Sequence, residues 1–288
     1  MNWTTLVSAD ALRAELESPR LVIVDARFGL GDAQAGESAW RAARLPGARY
    51  AHLDRDLSDK TRPASEGRHP LPAIDAFRAR LGVWGIGPDT QVVVYDAGDG
   101  AMAAARLWWL LRLVGHPYQA VLDGGLAAWA VAEAPMETGS PVAVADVGAY
   151  PVREFDANQL ATTVEVAART AQSPGWLLDA RNRERFRGEV EPIDRVAGHV
   201  PGARNRPYGD NLRDGRFLPA AELRGEFLEL TGHRDPREVV LSCGSGVTAC
   251  HNLLAMEAAG LPGARIYAPS WSGWSSDPLL PVATGEAN

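Results

Sequence analysis

Val239-Val240-Leu241-Ser242-Cys243-Gly244-Ser245-Gly246-Val247-Thr248-Ala249 is the stretch from which the rest of the chain can be read. Its apolar, β-branched start reads as a buried strand. From Ala249 to Ala259 a run of Ala, Leu and Met reads as a helix, closed by Gly260 and Pro262. Cys243 therefore sits at a strand-to-helix turn, facing the unpaired N–H groups and the partial positive end of the helix. Gly244 and Gly246 let the backbone curl so that several N–H groups converge on one point. A thiolate held there is stabilised and becomes a usable nucleophile. The plainer reading is a core cysteine beside an ordinary glycine turn, since free cysteine is among the most buried residue types. The strand, the glycine pair and the helix together favour a catalytic loop.

Working outward, the chain contains a repeat. Leu21-Val22-Ile23-Val24-Asp25-Ala26-Arg27 returns as Trp176-Leu177-Leu178-Asp179-Ala180-Arg181, and Leu45-Pro46-Gly47-Ala48-Arg49 as Val200-Pro201-Gly202-Ala203-Arg204. Val92-Val93-Val94-Tyr95-Asp96 returns as Val239-Val240-Leu241-Ser242-Cys243, and the stretch ending at Trp129 as the stretch ending at Trp274. The offsets (154 from Asp25, 155 from Pro46, 147 from Asp96, 145 from Trp129) stay within ten residues of one another, which points to duplication of one domain. Asp96 then occupies the place of Cys243, so only one half carries a nucleophile.

Strand patterns near 21–25, 91–95 and 119–122 are separated by helical patterns near 8–17, 74–81, 101–114 and 125–131. Such alternation predicts an α/β fold: two tandem domains, each a mainly parallel sheet flanked by helices. Ligands of such sheets gather at the carboxyl ends of the strands, where Cys243 lies. The expected division is a non-catalytic domain over 1–133, a linker over 134–158 and a catalytic domain over 159–288. Residues 134–151 hold three prolines, two glycines and no helical period, and Pro-rich 279–288 reads as a tail.

Composition excludes several classes. With 46% hydrophobic and 23% charged residues over 288 positions the chain is globular and long enough for two domains. A net charge of -7 without a basic block argues against nucleic acid. No apolar run approaches membrane-spanning length, and the first residues lack a signal-peptide pattern. Two cysteines make no disulfide framework and fit a reducing cytoplasm. Cys250 lies two helical turns beyond Cys243 and reads as helix packing, with a resolving thiol as the alternative.

On these residues the chain resembles the tandem-domain rhodanese-like sulfurtransferases: two halves, each with an Asp-Ala-Arg strand and a Pro-Gly-Ala turn. The loop Cys243–Ala249 is similar to that of the 3-mercaptopyruvate sulfurtransferases. Thiosulfate-using members usually carry basic residues in this loop, and here there are none. The resemblance implies ping-pong transfer of a sulfane sulfur from 3-mercaptopyruvate, through a persulfide on Cys243, to a thiol such as thioredoxin or to cyanide, with no metal or organic cofactor. Thiosulfate as donor remains the alternative.

The same resemblance places the other site residues. Arg185 matches the family's substrate arginine, and a guanidinium can hold a donor carboxylate by two parallel hydrogen bonds. Ion pairing with Glu184, Glu189 or Glu191 is its plainer reading, and the one favoured for Arg187. Arg195 is the candidate for a second arginine in the stretch Glu191–His199, which is shorter here than in the mercaptopyruvate enzymes it resembles. Ser245, His69 and Asp54 would form a proton relay brought together across the domain interface. The backbone of Gly244, Gly246, Val247 and Thr248 would line the donor and persulfide site. His199 reads as structural, His251 as surface or packing, and Trp271 and Trp274 equally as core or pocket wall. A thiol phosphatase on the same fold would need Arg where Ala249 stands. A non-catalytic binding module would not need a cysteine in a glycine nest.

Overall fold

The computed structural model describes residues 1–141 and 144–286, so Val142 and Ala143 of the expected linker, and Ala287 and Asn288 of the expected tail, lie outside the described residues. The chain forms two compact units. The first comprises residues 1–59, 71–156 and 214–216, and the second residues 60–70, 157–213 and 217–288. Residues 60–70, inside the expected first domain by sequence, thus belong to the second unit.

In the first unit, five strands lie in the order Leu6–Val7, Gln119–Leu122, Gln91–Tyr95, Leu21–Asp25, Arg49–Tyr50, and every pairing is parallel. The central strands are buried along nearly their whole length, as apolar strands covered by helices on both faces must be. The second unit repeats the plan with Arg265–Ile266, Val240–Ser242, Leu177–Asp179 and Ala203–Asn205, again all parallel. Where the first sheet adds the edge strand Leu6–Val7, the second has a single parallel bridge from Leu160 to Ile266.

The repeat extends to single hydrogen bonds. Trp129 and Trp274, both fully buried, donate their indole N–H to the oxygens of Pro135 and Pro281, each at 2.9 Å. Each anchors its own core, the first around Val93, Leu122 and Trp129, the second around Val240, Phe186, Trp271 and Trp274. Truncating a buried tryptophan typically costs about 3–5 kcal/mol, so each ring is a principal prop of its unit. The strand patterns at 21–25, 91–95 and 119–122 fall where expected. The helical patterns appear as Ala9–Ala14, Ile74–Val83, Ala103–Leu113 and Gly125–Val131. Among the described residues no helix is long and apolar enough to cross a membrane.

Candidate active site

Strand Val240–Ser242, central in the second sheet, delivers Cys243 to its carboxyl end, and helix Ala249–Ala258 begins six residues later. Cys243 is buried, and its Sγ accepts the Gly246 N–H at 3.1 Å. Its own N–H donates to Ser270 Oγ at 3.1 Å, and that hydroxyl donates onward to the Tyr267 oxygen at 2.9 Å. The carbonyls of Cys243 and Gly244 accept the N–H groups of Trp271 and Ser272, each at 2.9 Å. Gly246 is obligatory: its φ is +73°, and a Cβ there would lie 2.5 Å from the Ala268 oxygen. Ser245 and Val247 are buried and half-buried Thr248 leads into the helix, with the Gly246 N–H turned onto the sulfur.

Ser245 Oγ lies 2.7 Å from Nδ1 of the buried His69. The segment holding His69 is fastened to the second unit by the Arg68 N–H, which donates to Ser272 Oγ at 2.9 Å. Glycines make room for it on both sides. A Cβ on Gly67 would meet the Pro269 oxygen at 2.5 Å, and one on Gly273 the Ser65 oxygen at 2.8 Å. Asp54 lies in the first unit, half-buried in the short helix Leu53–Asp56, where its N–H donates to His52 Nδ1 at 3.2 Å.

Arg185 projects from the short helix Arg183–Arg187 and is already paired. Its Nη2 donates to Glu191 at 2.7 Å and to Asp194 Oδ2 at 3.1 Å, and its Nε also faces Glu191. Asp194 Oδ1 accepts from Arg68 Nη1 at 2.5 Å, so one carboxylate bridges two guanidiniums. Both cations reach the loop: a Cβ built on Gly244 would lie 3.3 Å from Arg68 Nη2 and 3.5 Å from Arg185 Nη1. Arg195 is exposed and lines, with Arg68, Ile193, Asp194 and Ser272, a cavity of about 390 Å³. Arg187 pairs with Glu189 and Glu286 at the surface.

Beneath these lies Arg181, buried, bound to both Asp179 oxygens and to the Gly198 carbonyl, with its guanidinium 4.9 Å from the Trp271 ring centre. Burial works against its charge, yet Asp179, Glu191 and the nearby Cys243 hold its pKa above the ordinary value. Burial raises Asp194 despite Arg68, whereas Glu191, also opposed by burial, is held low by Arg185 and the N–H groups of Asp194 and Ile193. Three arginines (68, 181, 185) thus face three carboxylates (Asp179, Glu191, Asp194). Trp271 and Trp274 are core. His199 is structural, bonded to the Phe186 oxygen at 2.8 Å and stacked on its ring. His251 is fully buried, stacked on Phe217 and 3.1 Å from Asn211, which makes it a packing residue. Cys250 is a buried thiol, with its S–H on the Gly246 carbonyl at 3.3 Å.

Sequence reading missed Arg68, Asp194 and Ser270. Arg68 adjoins His69, which was its one available signal. Its ion pair with Asp194 spans 126 positions, beyond any local pattern.

The rhodanese-like domain family matches residues 8–132 and 162–277, once over each half. This chain belongs to that family. A Pseudomonas aeruginosa member, "Probable 3-mercaptopyruvate sulfurtransferase", is 46% identical over 99% of this chain and all of its own length. The "Putative thiosulfate sulfurtransferase SseB" of Mycobacterium tuberculosis is 42% identical over 92% of this chain and 91% of its own. The solved 3-mercaptopyruvate sulfurtransferase of Leishmania major superposes with a TM-score of 0.82 at 30% identity, covering 95% of this chain and 74% of that one. In this rhodanese-like chain the arrangement offers a buried thiol, a hydroxyl–imidazole pair and two guanidiniums converging on one glycine-rich turn. A thiol attack on sulfur needs these elements: a nucleophile, a proton carrier and an anchor for an anionic donor.

Proposed function

We propose that this rhodanese-family sulfurtransferase uses 3-mercaptopyruvate as its donor, with Cys243 as the sulfur carrier. The Cys243 thiolate attacks the donor sulfur, the donor's C–S bond breaks, and its electron pair becomes the enolate of pyruvate. Proton delivery from Ser245, recharged through His69, converts the enolate to pyruvate. Asp54 is assigned the third relay position, orienting the imidazole. The outer sulfur of the Cys243 persulfide then passes to an attacking thiolate, such as that of thioredoxin, or to cyanide. Cys243 thiolate returns unchanged in oxidation state.

The observation that carries this reading is the meeting at one turn of the Cys243 sulfur on the Gly246 N–H, the Ser245–His69 pair and the Arg185 guanidinium beside Gly244. Gly244, Gly246, Val247 and Thr248 supply the backbone lining. Arg185 is the proposed carboxylate anchor, with Arg195 at the cavity mouth as the second cation named from sequence. The proposed domains are the non-catalytic 1–133, the linker 134–158 and the catalytic 159–288, with residues 60–70 lent to the last. Because Cys243 must stay a free thiol, a reducing compartment, the cytoplasm, is the proposed location.

The names of the three relatives point to two donors, and one experiment decides between them: kcat/KM for 3-mercaptopyruvate against that for thiosulfate. A ratio above about 100 in favour of 3-mercaptopyruvate is expected, equivalent to the few kcal/mol that one unmatched charge costs in a partly buried site. Arg185→Ala should lower kcat/KM for 3-mercaptopyruvate by about 100-fold, through loss of the cation whose Nη1 faces Gly244. A native preference for thiosulfate would refute the donor assignment.

A further inference from the structure

Building on that donor reading, we propose that Asp194 is a specificity-determining residue that tunes the donor site to a single negative charge. Two cations approach Gly244, Arg68 through Nη2 and Arg185 through Nη1, and neither comes from the catalytic loop. Left alone, they would give the site a double positive charge, well suited to a dianion. Asp194, together with Glu191 on Arg185, prevents this. One of its oxygens accepts from Arg68 Nη1 and the other from Arg185 Nη2, and its side chain is only 5% exposed.

The geometry separates two edges of each guanidinium. Asp194 and Glu191 occupy Arg68 Nη1 and the Nε–Nη2 edge of Arg185. Arg68 Nη2 and Arg185 Nη1 are left toward Gly244, able to donate to an arriving oxyanion. A donor thus meets two directional hydrogen-bond donors in a site whose charge is already balanced. A monoanion placed there leaves one excess negative charge beside the Cys243 thiolate, and a dianion leaves two. In a partly buried setting each additional uncompensated charge is repelled strongly, so the balance discriminates between the two donors. Asp194 acts through the arginines rather than on the donor itself.

The test uses the full-length enzyme and steady-state sulfur transfer to cyanide with each donor. Asp194→Asn keeps the shape and one acceptor oxygen but removes the charge. It should raise thiosulfate kcat/KM relative to 3-mercaptopyruvate by about tenfold or more, mainly through a lower KM for thiosulfate. Asp194→Glu, which restores the charge, should return the ratio towards that of the unmodified enzyme. Arg68→Gln removes one cation and should move the ratio the opposite way, which tests the charge balance even if Asp194→Asn folds poorly. An unchanged ratio in both Asp194→Asn and Arg68→Gln, or equal losses with both donors, overturns the inference. These outcomes are separable from the donor assignment. An unmodified enzyme that prefers thiosulfate defeats that assignment, while the direction of the Asp194→Asn shift still tests the role of Asp194.

Discussion

At Asp96 and at Cys243 the chain leaves its strand with the same pair of backbone contacts, although the first loop is one residue longer before its helix. The N–H groups of Leu126 and Ala127 donate to the oxygens of Asp96 and Ala97 at 2.9 and 3.1 Å, and those of Trp271 and Ser272 to Cys243 and Gly244 at 2.9 Å each. Gly125 and Ser270 take the same left-handed conformation beside the two loops, φ +51° and +52°. What differs is the anion. In the first half the Asp96 carboxylate folds into its own loop, with Oδ1 accepting from Gly98 and Gly100 at 3.1 and 3.0 Å. In the second half the nest holds a sulfur, and the hydroxyl of Ser270 is added in contact with the Cys243 N–H. A nest filled by its own carboxylate leaves those N–H groups nothing to offer a reacting group. Similar backbone contacts therefore surround a loop closed on its own carboxylate in one half and a loop holding a free thiol in the other.

The largest effect expected from this comparison is at Cys243. Cys243→Ser should reduce sulfur transfer by about 10⁴-fold or more, because a hydroxyl is a far poorer nucleophile than a thiolate at neutral pH. Placing the thiol in the other loop, Asp96→Cys in the Cys243→Ser background, should restore nothing, since the first loop lacks the His69 pairing and the two guanidiniums described at the second. Mass spectrometry after donor treatment should find one added sulfur on the peptide containing Cys243 in the unmodified enzyme. Persulfide turnover on the thiol introduced by Asp96→Cys would break the comparison by showing that the backbone nest alone suffices.

The comparison also separates what sequence reveals from what it hides. The central strands were legible because runs of consecutive apolar, β-branched residues are buried on both faces. Leu6–Val7 and Arg49–Tyr50 are two residues long and have no period to detect. Cys243 and its glycines were legible because their chemistry is local. The Arg68–Asp194–Arg185 bridge was not, since charge pairing across distant segments leaves no spacing signature. Arg195, chosen by its place between Glu191 and His199, is exposed at the cavity, whereas the arginine nearest Gly244 comes from residues 60–70. Ser270 escaped notice because a left-handed serine is a backbone fact invisible in composition.

A second pair of substitutions probes the turns themselves. Gly246→Ala forces a Cβ into the left-handed region and to within 2.5 Å of the Ala268 oxygen. A destabilisation of about 2–4 kcal/mol is expected by urea denaturation, with loss of sulfur transfer as the N–H on Cys243 moves away. Gly98→Ala meets nothing within 4 Å and needs no left-handed backbone. It should change stability by less than about 0.5 kcal/mol. Equal costs at the two positions would mean that the left-handed backbone and the close Ala268 approach do not set the tolerance at Gly246.

The smallest effect is the most specific to the closed loop. Burial, with the neighbouring Asp99 charge, pushes the Asp96 carboxyl up to about 6, against the pull of the Gly98 and Gly100 N–H groups. Its ordinary value is near 3.8, so the folded state binds this proton more tightly than the unfolded state does. The resulting stability is present in full below about pH 4 and is lost as pH rises through about 6, a difference of up to about 3 kcal/mol. Asp96→Asn keeps an acceptor for the two N–H groups and removes the charge. It also places N–H donors where Asp96 Oδ2 has no partner among the described residues, which offsets part of the gain. At pH 8 the variant should therefore be more stable than the unmodified protein by about 1–2 kcal/mol, and the advantage should vanish at about pH 4. Sulfur transfer should not change, because Cys243, the proposed sulfur carrier, lies in the other loop. Urea titrations of both proteins at about pH 4, 6 and 8 would check this. A variant less stable at the highest pH would mean that the Asp96 charge holds its loop together, which would make the first nest a bound-anion site rather than a strained one.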